Sequence, residues 1–442
     1  MSDIDGGISA PFPQQVTGFE KSSGKGHRFA SKLWLFLLQS FFVLMLVVPT
    51  TFQTPRGVFL VLIAGVGGVL ALRAWRVHRD IIILWLLTML VGLFGVVWGI
   101  VNSAPGALRV TSVYLVWPVL YLLFIGLAHD PRVIKSIESA LLVGIAFATF
   151  MALTVMLAGL LGYGSIINPL LEFQGAAFGN YGGFIEFRTY GLTTVMYGFP
   201  FVLSVILVRR GELFGLRKFG IYMLLFAIVF AALGSGRRAF WLVMLLTPFI
   251  MLPFLQLSSC YLKPVPFLSL TFKSSVLAVL VIAVTIATIG LDPFALVENF
   301  VAAFQGNEAS SGERFKQATS LWDKFSESPI VGHGFGSTVD VVRSHETPWA
   351  YELSYLALLM NVGLVGFLIY STAVLWVALK GIQLSRKNTE FAKLFVPLIT
   401  ALSAFLIMNA TNPYLGKFDY LWVIFLPVAL INAYLTRRPK YD

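Results

Sequence analysis

Cysteine is almost missing from this chain: Cys260 is the only one among 442 residues. A single thiol excludes a disulfide framework and any metal site built from cysteines. Histidine is scarce too, with five residues, and there is no His-Glu-x-x-His pair, no Asp-x-Asp beyond Asp3-Ile4-Asp5 in the polar N-terminal tail and no Cys/His spacing suited to a metal. The chemistry expected is therefore metal-independent. Charge is the third shortage. Asp, Glu, Lys and Arg make up 12% of residues, about half the quarter usual in soluble domains. Hydrophobic residues fill 57% of the chain instead, with a mean hydropathy of +0.83. The composition points to an all-α polytopic membrane protein.

Apolar runs long enough to cross a core of about 30 Å lie near 33–50, 57–74, 81–101, 111–128, 139–161 and 191–208. Six more lie near 219–234, 239–256, 275–291, 353–379, 392–411 and 418–436. About twelve transmembrane helices are thus expected. No second domain, repeat or coiled coil interrupts them. The expected organisation is a disordered cytoplasmic tail over 1–30 with no cleaved signal peptide, one transmembrane domain over 31–436, and a short cytoplasmic tail over 437–442. A large loop over 292–352 belongs to that domain and is expected to contain short helices.

The formal net charge of +11 reads as topology rather than as a nucleic-acid surface, because Lys and Arg hold loops on the cytoplasmic side. With the N-terminus cytoplasmic, 22 of the 32 Lys and Arg residues fall on that side. Arg56, Arg109 and Lys417 sit in short outer turns and read as ordinary loop charges. The remaining basic residues, Arg188, Arg237, Arg238, Arg314, Lys316, Lys324 and Arg343, fall in three outer segments: 162–190, 234–238 and 292–352. Arg237 and Arg238 in a tight outer turn oppose the inside bias and leave cations close to the membrane, where charge is costly. Snorkelling to headgroups is the plain reading. The chemical one is a receptor for phosphate or pyrophosphate, whose oxygens match the guanidinium fork.

The stretch Ser310–Gly366 is polar at its start and becomes a membrane helix at its end. Ser310 and Glu313 have the form of a capping box. Phe315, Ala318, Trp322 and Phe325 recur at helical spacing and predict one apolar stripe, and Pro329 ends that helix. Gly332, Gly334 and Gly336 then predict a loose backbone whose N–H groups suit an anion-binding nest. His333, between two glycines, reads as a turn residue. His345 and Glu352 are the candidate general bases. His345 also reads as a solvated loop histidine, and Glu352 as an acid favoured at a helix N-terminus.

These residues carry a family resemblance. The chain resembles the bacterial O-antigen ligase and polymerase superfamily, membrane glycosyltransferases of the GT-C type, over nearly its whole length. The turn Gly234-Ser235-Gly236-Arg237-Arg238-Ala239-Phe240-Trp241 is similar to the family's Ser-Arg-Gly-Ala-like turn, with Arg237 in the arginine's place. Arg314, then Trp322, Pro329 and Gly332-His333-Gly334, is similar to the run of Arg, Trp and Pro-x-x-Gly-x-Gly. Arg188, before Thr189 and Gly191, looks like an earlier periplasmic arginine. In the third motif Tyr355-Leu356 and Gly363-Leu364-Val365-Gly366 align, and the family's histidine position falls on Glu352.

The resemblance implies polymerisation of undecaprenyl-pyrophosphate-linked repeat units at the periplasmic face of a bacterial inner membrane. Arg188, Arg237, Arg238 and Arg314 would bind the pyrophosphate, and Glu352 or His345 would receive or orient the acceptor hydroxyl. Donor and acceptor glycans, the bilayer and a chain-length regulator protein are the implied partners, with no cofactor and no nucleic acid. Loss of the histidine at 352 tilts the reading toward a Wzy-type polymerase. An O-antigen ligase with His345 as base is the alternative within the class, and a lipid-linked oligosaccharide flippase the alternative outside it.

Overall fold

A computed structural model describes residues 25–49, 51–129, 131–161, 177–181, 184–259 and 309–437. The first half runs α1 (Lys25–Val47), α2 (Gln53–Ala74), α3 (Arg79–Val101), α4 (Ala107–Thr111), a π-helical turn (Ser112–Val116), α5 (Trp117–Leu127) and α6 (Pro131–Leu160). A two-stranded antiparallel hairpin follows, β1 (Ala177–Tyr181) with β2 (Phe184–Arg188), in the register Ala177 opposite Arg188. Then come α7 (Leu192–Val208), α8 (Gly215–Gly234), α9 (Arg238–Gln256), α10 (Ala309–Glu327), α11 (Ser354–Lys387), α12 (Thr389–Asn409) and α13 (Trp422–Leu435).

Ten helical spans among the described residues are long and apolar enough to cross a membrane, and α7 is a shorter apolar helix. The expected span 275–291 lies outside the described residues, as do the tail up to 24 and the residues after 437. The protein is accordingly an all-α polytopic membrane protein.

The middle of the bundle is α7 against α12, with α13 beside them. Nearly every side chain of α7 is buried, including Tyr197, Phe201 and Val205. A helix that is apolar all round suits such an interior position. The outer helices instead expose Leu, Val and Phe, as Leu72, Leu90 and Phe150 do, which fits a surface solvated by lipid tails. Pro200, Pro397 and Pro427 sit inside these three central helices, where neighbouring helices can satisfy the freed carbonyls.

Two charged pairs tie the bundle at opposite ends. Arg56, in α2, is buried and pairs with Asp419, just before α13, while also donating to the Val48 carbonyl. Its expected role as an ordinary loop charge is therefore wrong, because its guanidinium is enclosed with a buried carboxylate. At the other end Arg209 pairs with Glu138 at 2.6 Å and donates to the Lys393 carbonyl at 3.2 Å.

Candidate active site

The site is built on a break in α11. Gly363 has φ 64° and ψ −173° in mid-helix, and a Cβ there would lie 2.3 Å from the Ile330 carbonyl oxygen. The segment Pro329–Phe335 fills the break and completes its backbone pairing. Leu364 and Val365 donate N–H to the carbonyls of Pro329 (2.8 Å) and Ile330 (3.2 Å), and His333 and Gly334 donate to Met360 (2.9 Å) and Asn361 (2.8 Å). Non-helical backbone at membrane depth persists where it is enclosed in protein in this way.

Gly332, Gly334 and Gly336 all have positive φ, and a Cβ on Gly334 would lie 2.2 Å from the Gly99 nitrogen of α3. This stretch is clamped between α3 and α11, so the expected looseness is a misreading of glycines that the close approach requires. The anion nest fails for the same reason. The N–H groups of Gly332, His333, Gly334 and Phe335 are taken by the carbonyls of Ser328, Met360, Asn361 and Gly95. His333 is structural, as its sequence setting suggested: its Nε2 lies 2.6 Å from the Lys324 carbonyl.

That plug fixes α10 over the end of α11. Leu321 packs with Tyr351, Ala357 and Met360. The buried face therefore carries Gln317 and Leu321, whereas Phe315 and Trp322 are 75% and 55% exposed. The predicted stripe was drawn through Phe315, Ala318, Trp322 and Phe325, and only its last member reaches this cluster. The reason is polar: Gln317 turns inward because its Oε1 accepts the Glu352 backbone N–H at 3.1 Å. The side chains of Ser310 and Ser311 lie outside the described residues, so the capping box falls there.

Glu352 is the centre of the arrangement. It lies two residues before α11, and its carboxylate joins two arginines from separate segments. Arg314 of α10 donates Nε to Oε2 at 2.5 Å, and Arg343 of the following loop forms an ion pair, its Nη1 lying 2.7 Å from Oε1. The carboxylate is 15% exposed, against 44% and 49% for the two guanidinium groups. Tyr351 holds the loop down by accepting the Val339 N–H at 2.7 Å. Burial pushes its phenol up to about 12, and that N–H opposes the rise.

Arg237 reaches the same place from the turn between α8 and α9. That turn is Ser235–Arg237, and the buried Ser235 hydroxyl accepts the Arg237 N–H at 3.3 Å. The Arg237 and Arg343 guanidinium groups both lie near enough to the Tyr414 hydroxyl to act on its ionisation. Burial raises the Tyr414 phenol, and both arginines counter that rise. Lys417 completes the cationic group. Burial lowers its ammonium, Asp419 opposes that shift, and Arg343 adds to it.

Arg237, Arg314, Arg343 and Glu352 are thus brought together, and Arg343 and Lys417 are members that the sequence did not assign. Lys417 is therefore not the ordinary loop charge its sequence setting suggests, and neither is Arg109, whose guanidinium lies 5.5 Å from the centre of the Trp349 ring. The signal for Arg343 was present, since it is one of the outer arginines. Arg188 closes β2 and Arg238 opens α9, but their side chains lie outside the described residues. His345 is exposed on the loop and makes no hydrogen bond or ion pair among the described residues.

Beneath Trp349, Tyr351 and Lys417 opens an apolar cavity of about 720 Å³. It runs between α3, α5, α11, α12 and α13 toward Ile81 and Trp85 near the start of α3. Lys417, at its mouth, is the one charged residue among those lining it. The chemistry available is an acid–arginine cluster above an elongated apolar chamber. No protein-family model matches the chain, and no curated protein matches it.

Proposed function

We propose that this protein is a metal-independent membrane glycosyltransferase that polymerises oligosaccharide repeat units carried on undecaprenyl pyrophosphate. The observation that carries the reading is the convergence of Arg314, Arg343 and Arg237 around Glu352 and Tyr414, directly above the apolar cavity. A lipid-linked diphosphate has the matching halves. Guanidinium forks bind its phosphate oxygens, and an apolar chamber accepts part of its hydrocarbon chain.

In this mechanism a hydroxyl oxygen of the acceptor repeat attacks C1 of the donor sugar. The C1–O bond to phosphate breaks, and lipid pyrophosphate leaves with the bonding pair. Arg237, Arg314 and Arg343 stabilise the charge that develops on it, a contribution of a few kcal/mol per donor. Glu352 receives the hydroxyl proton or orients that hydroxyl. Pyrophosphate leaves without protonation, so no general acid is required.

Against a flippase, charge lines the cavity only at its mouth, whereas a translocation path for a charged headgroup calls for polar groups along its depth. Against a ligase with His345 as base, Glu352 rather than His345 lies among the arginines. The test is reconstitution: purified protein with lipid-linked repeat units should yield a ladder of lengthening polymer. Transfer only to lipid A core, or no glycosidic product at all, would overturn the reading.

A further inference from the structure

We infer that Glu352 is the placeholder of its own anion site: in the free protein its carboxylate occupies the position taken by the donor's phosphate oxygens, and donor binding displaces it. This rests on the proposed role of the arginines as a pyrophosphate receptor. The geometry is that of a bound oxyanion. Two oxygens of one group are held by two guanidinium groups from different segments, at 2.5 and 2.7 Å. Carboxylate and phosphate present the same paired oxygens to such forks.

The exchange has a direction. Two cations face a single negative charge, so the resting cluster is undercompensated. A diphosphate carries more charge than a carboxylate and gains more Coulomb energy in the same place. Both arginines are close to half exposed, which leaves N–H groups for an incoming ligand. The backbone at 352 stays fixed meanwhile, because its N–H is held by Gln317. Only the side chain has to swing.

Displacement changes what Glu352 can do. While compensated by two guanidinium groups, its oxygens are poor acceptors for a sugar hydroxyl. Once the arginines turn to phosphate, the carboxylate is released beside the donor sugar. Acceptor activation therefore follows donor binding, which gives a compulsory order. The exchange also accounts for the acid at 352, since a neutral histidine there would supply no anion to hold the two arginines together.

The experiment titrates the full-length protein in detergent with inorganic pyrophosphate by calorimetry. Glu352→Gln should bind pyrophosphate at least about tenfold more tightly than the native protein, equivalent to ~1.4 kcal/mol. Glu352→Ala should move the same way, which guards against a residual contact from the amide or a folding fault in one variant. Glu346→Gln, which removes a nearby exposed charge, should change affinity less than about twofold by screening. Polymerisation by Glu352→Gln should fall as its affinity rises, an opposition that a merely structural role would not produce. Equal or weaker binding in both Glu352 variants overturns the placeholder and leaves the arginine site standing. Binding in none of the proteins overturns the anion site, and the placeholder falls with it.

Discussion

At the scale of single residues, the arginines are separated by what each one's geometry demands. Arg314 and Arg343 pair through different nitrogens with different oxygens of one carboxylate, a task a lysine point charge does poorly. Arg314→Lys and Arg237→Lys should each lower polymerisation by about tenfold or more, given 1.4 kcal/mol per decade, at unchanged protein levels. Full activity in both variants would remove them from pyrophosphate binding. Glu352 and His345 separate just as cleanly. Glu352→Gln should cost roughly 100-fold or more, the range of a lost acid–base group, while His345→Ala stays near native. The reverse pattern would restore the ligase-like assignment. Sequence spacing singles out Glu352, but only the fold shows the two arginines on it, because they lie 38 and 9 residues away along the chain.

At the scale of elements, the broken helix α11 decides where the site stands. Periodicity predicted a continuous apolar helix from 353, and Gly363 looked like part of a motif rather than a hinge. Gly363→Ala places a Cβ against the Ile330 backbone at positive φ, which costs on the order of 1–3 kcal/mol. Thermal unfolding of the purified variant should begin several degrees lower. Its polymerisation should fall as well, since the displaced Pro329–Phe335 segment carries α10 and Arg314. An unchanged melting profile would show that the break relaxes without cost. The face of α10 was misjudged for a related reason. Hydrophobicity chose Phe315 and Trp322, whereas a single hydrogen bond from the Glu352 backbone N–H to the Gln317 side-chain oxygen helps set the helix rotation.

Across the whole molecule, the proposed topology places the arginine cluster on the outer side of the membrane. A cysteine at Ser326, in a background without Cys260, should react with an impermeant thiol reagent on intact cells. One at Gly211, on the opposite end of the bundle, should react only after lysis. Reversal would put the cluster in the cytoplasm and exclude a periplasmic polymerase. The cavity gives a second measurement. Ser403 of α12 lines it, and Ser403→Trp should obstruct the lipid chain and reduce polymerisation about tenfold, ~1.4 kcal/mol, with little change in melting. Native activity would dissociate the cavity from the substrate.

Much of the architecture was settled by composition and hydropathy, because a bilayer admits few solutions for a chain so poor in charge. Long apolar segments must be helices, and each described membrane-spanning helix falls close to an expected run. The turn bearing Arg237 was legible for the same reason, since two apolar helices left no room for anything else. What tertiary structure alone decided is pairing. Arg56 found Asp419, Lys417 came to the mouth of a cavity, and the glycine segment entered a gap in another helix. Such contacts join residues far apart in sequence, and no local pattern encodes them. They depend on which faces of which helices meet once the bundle closes.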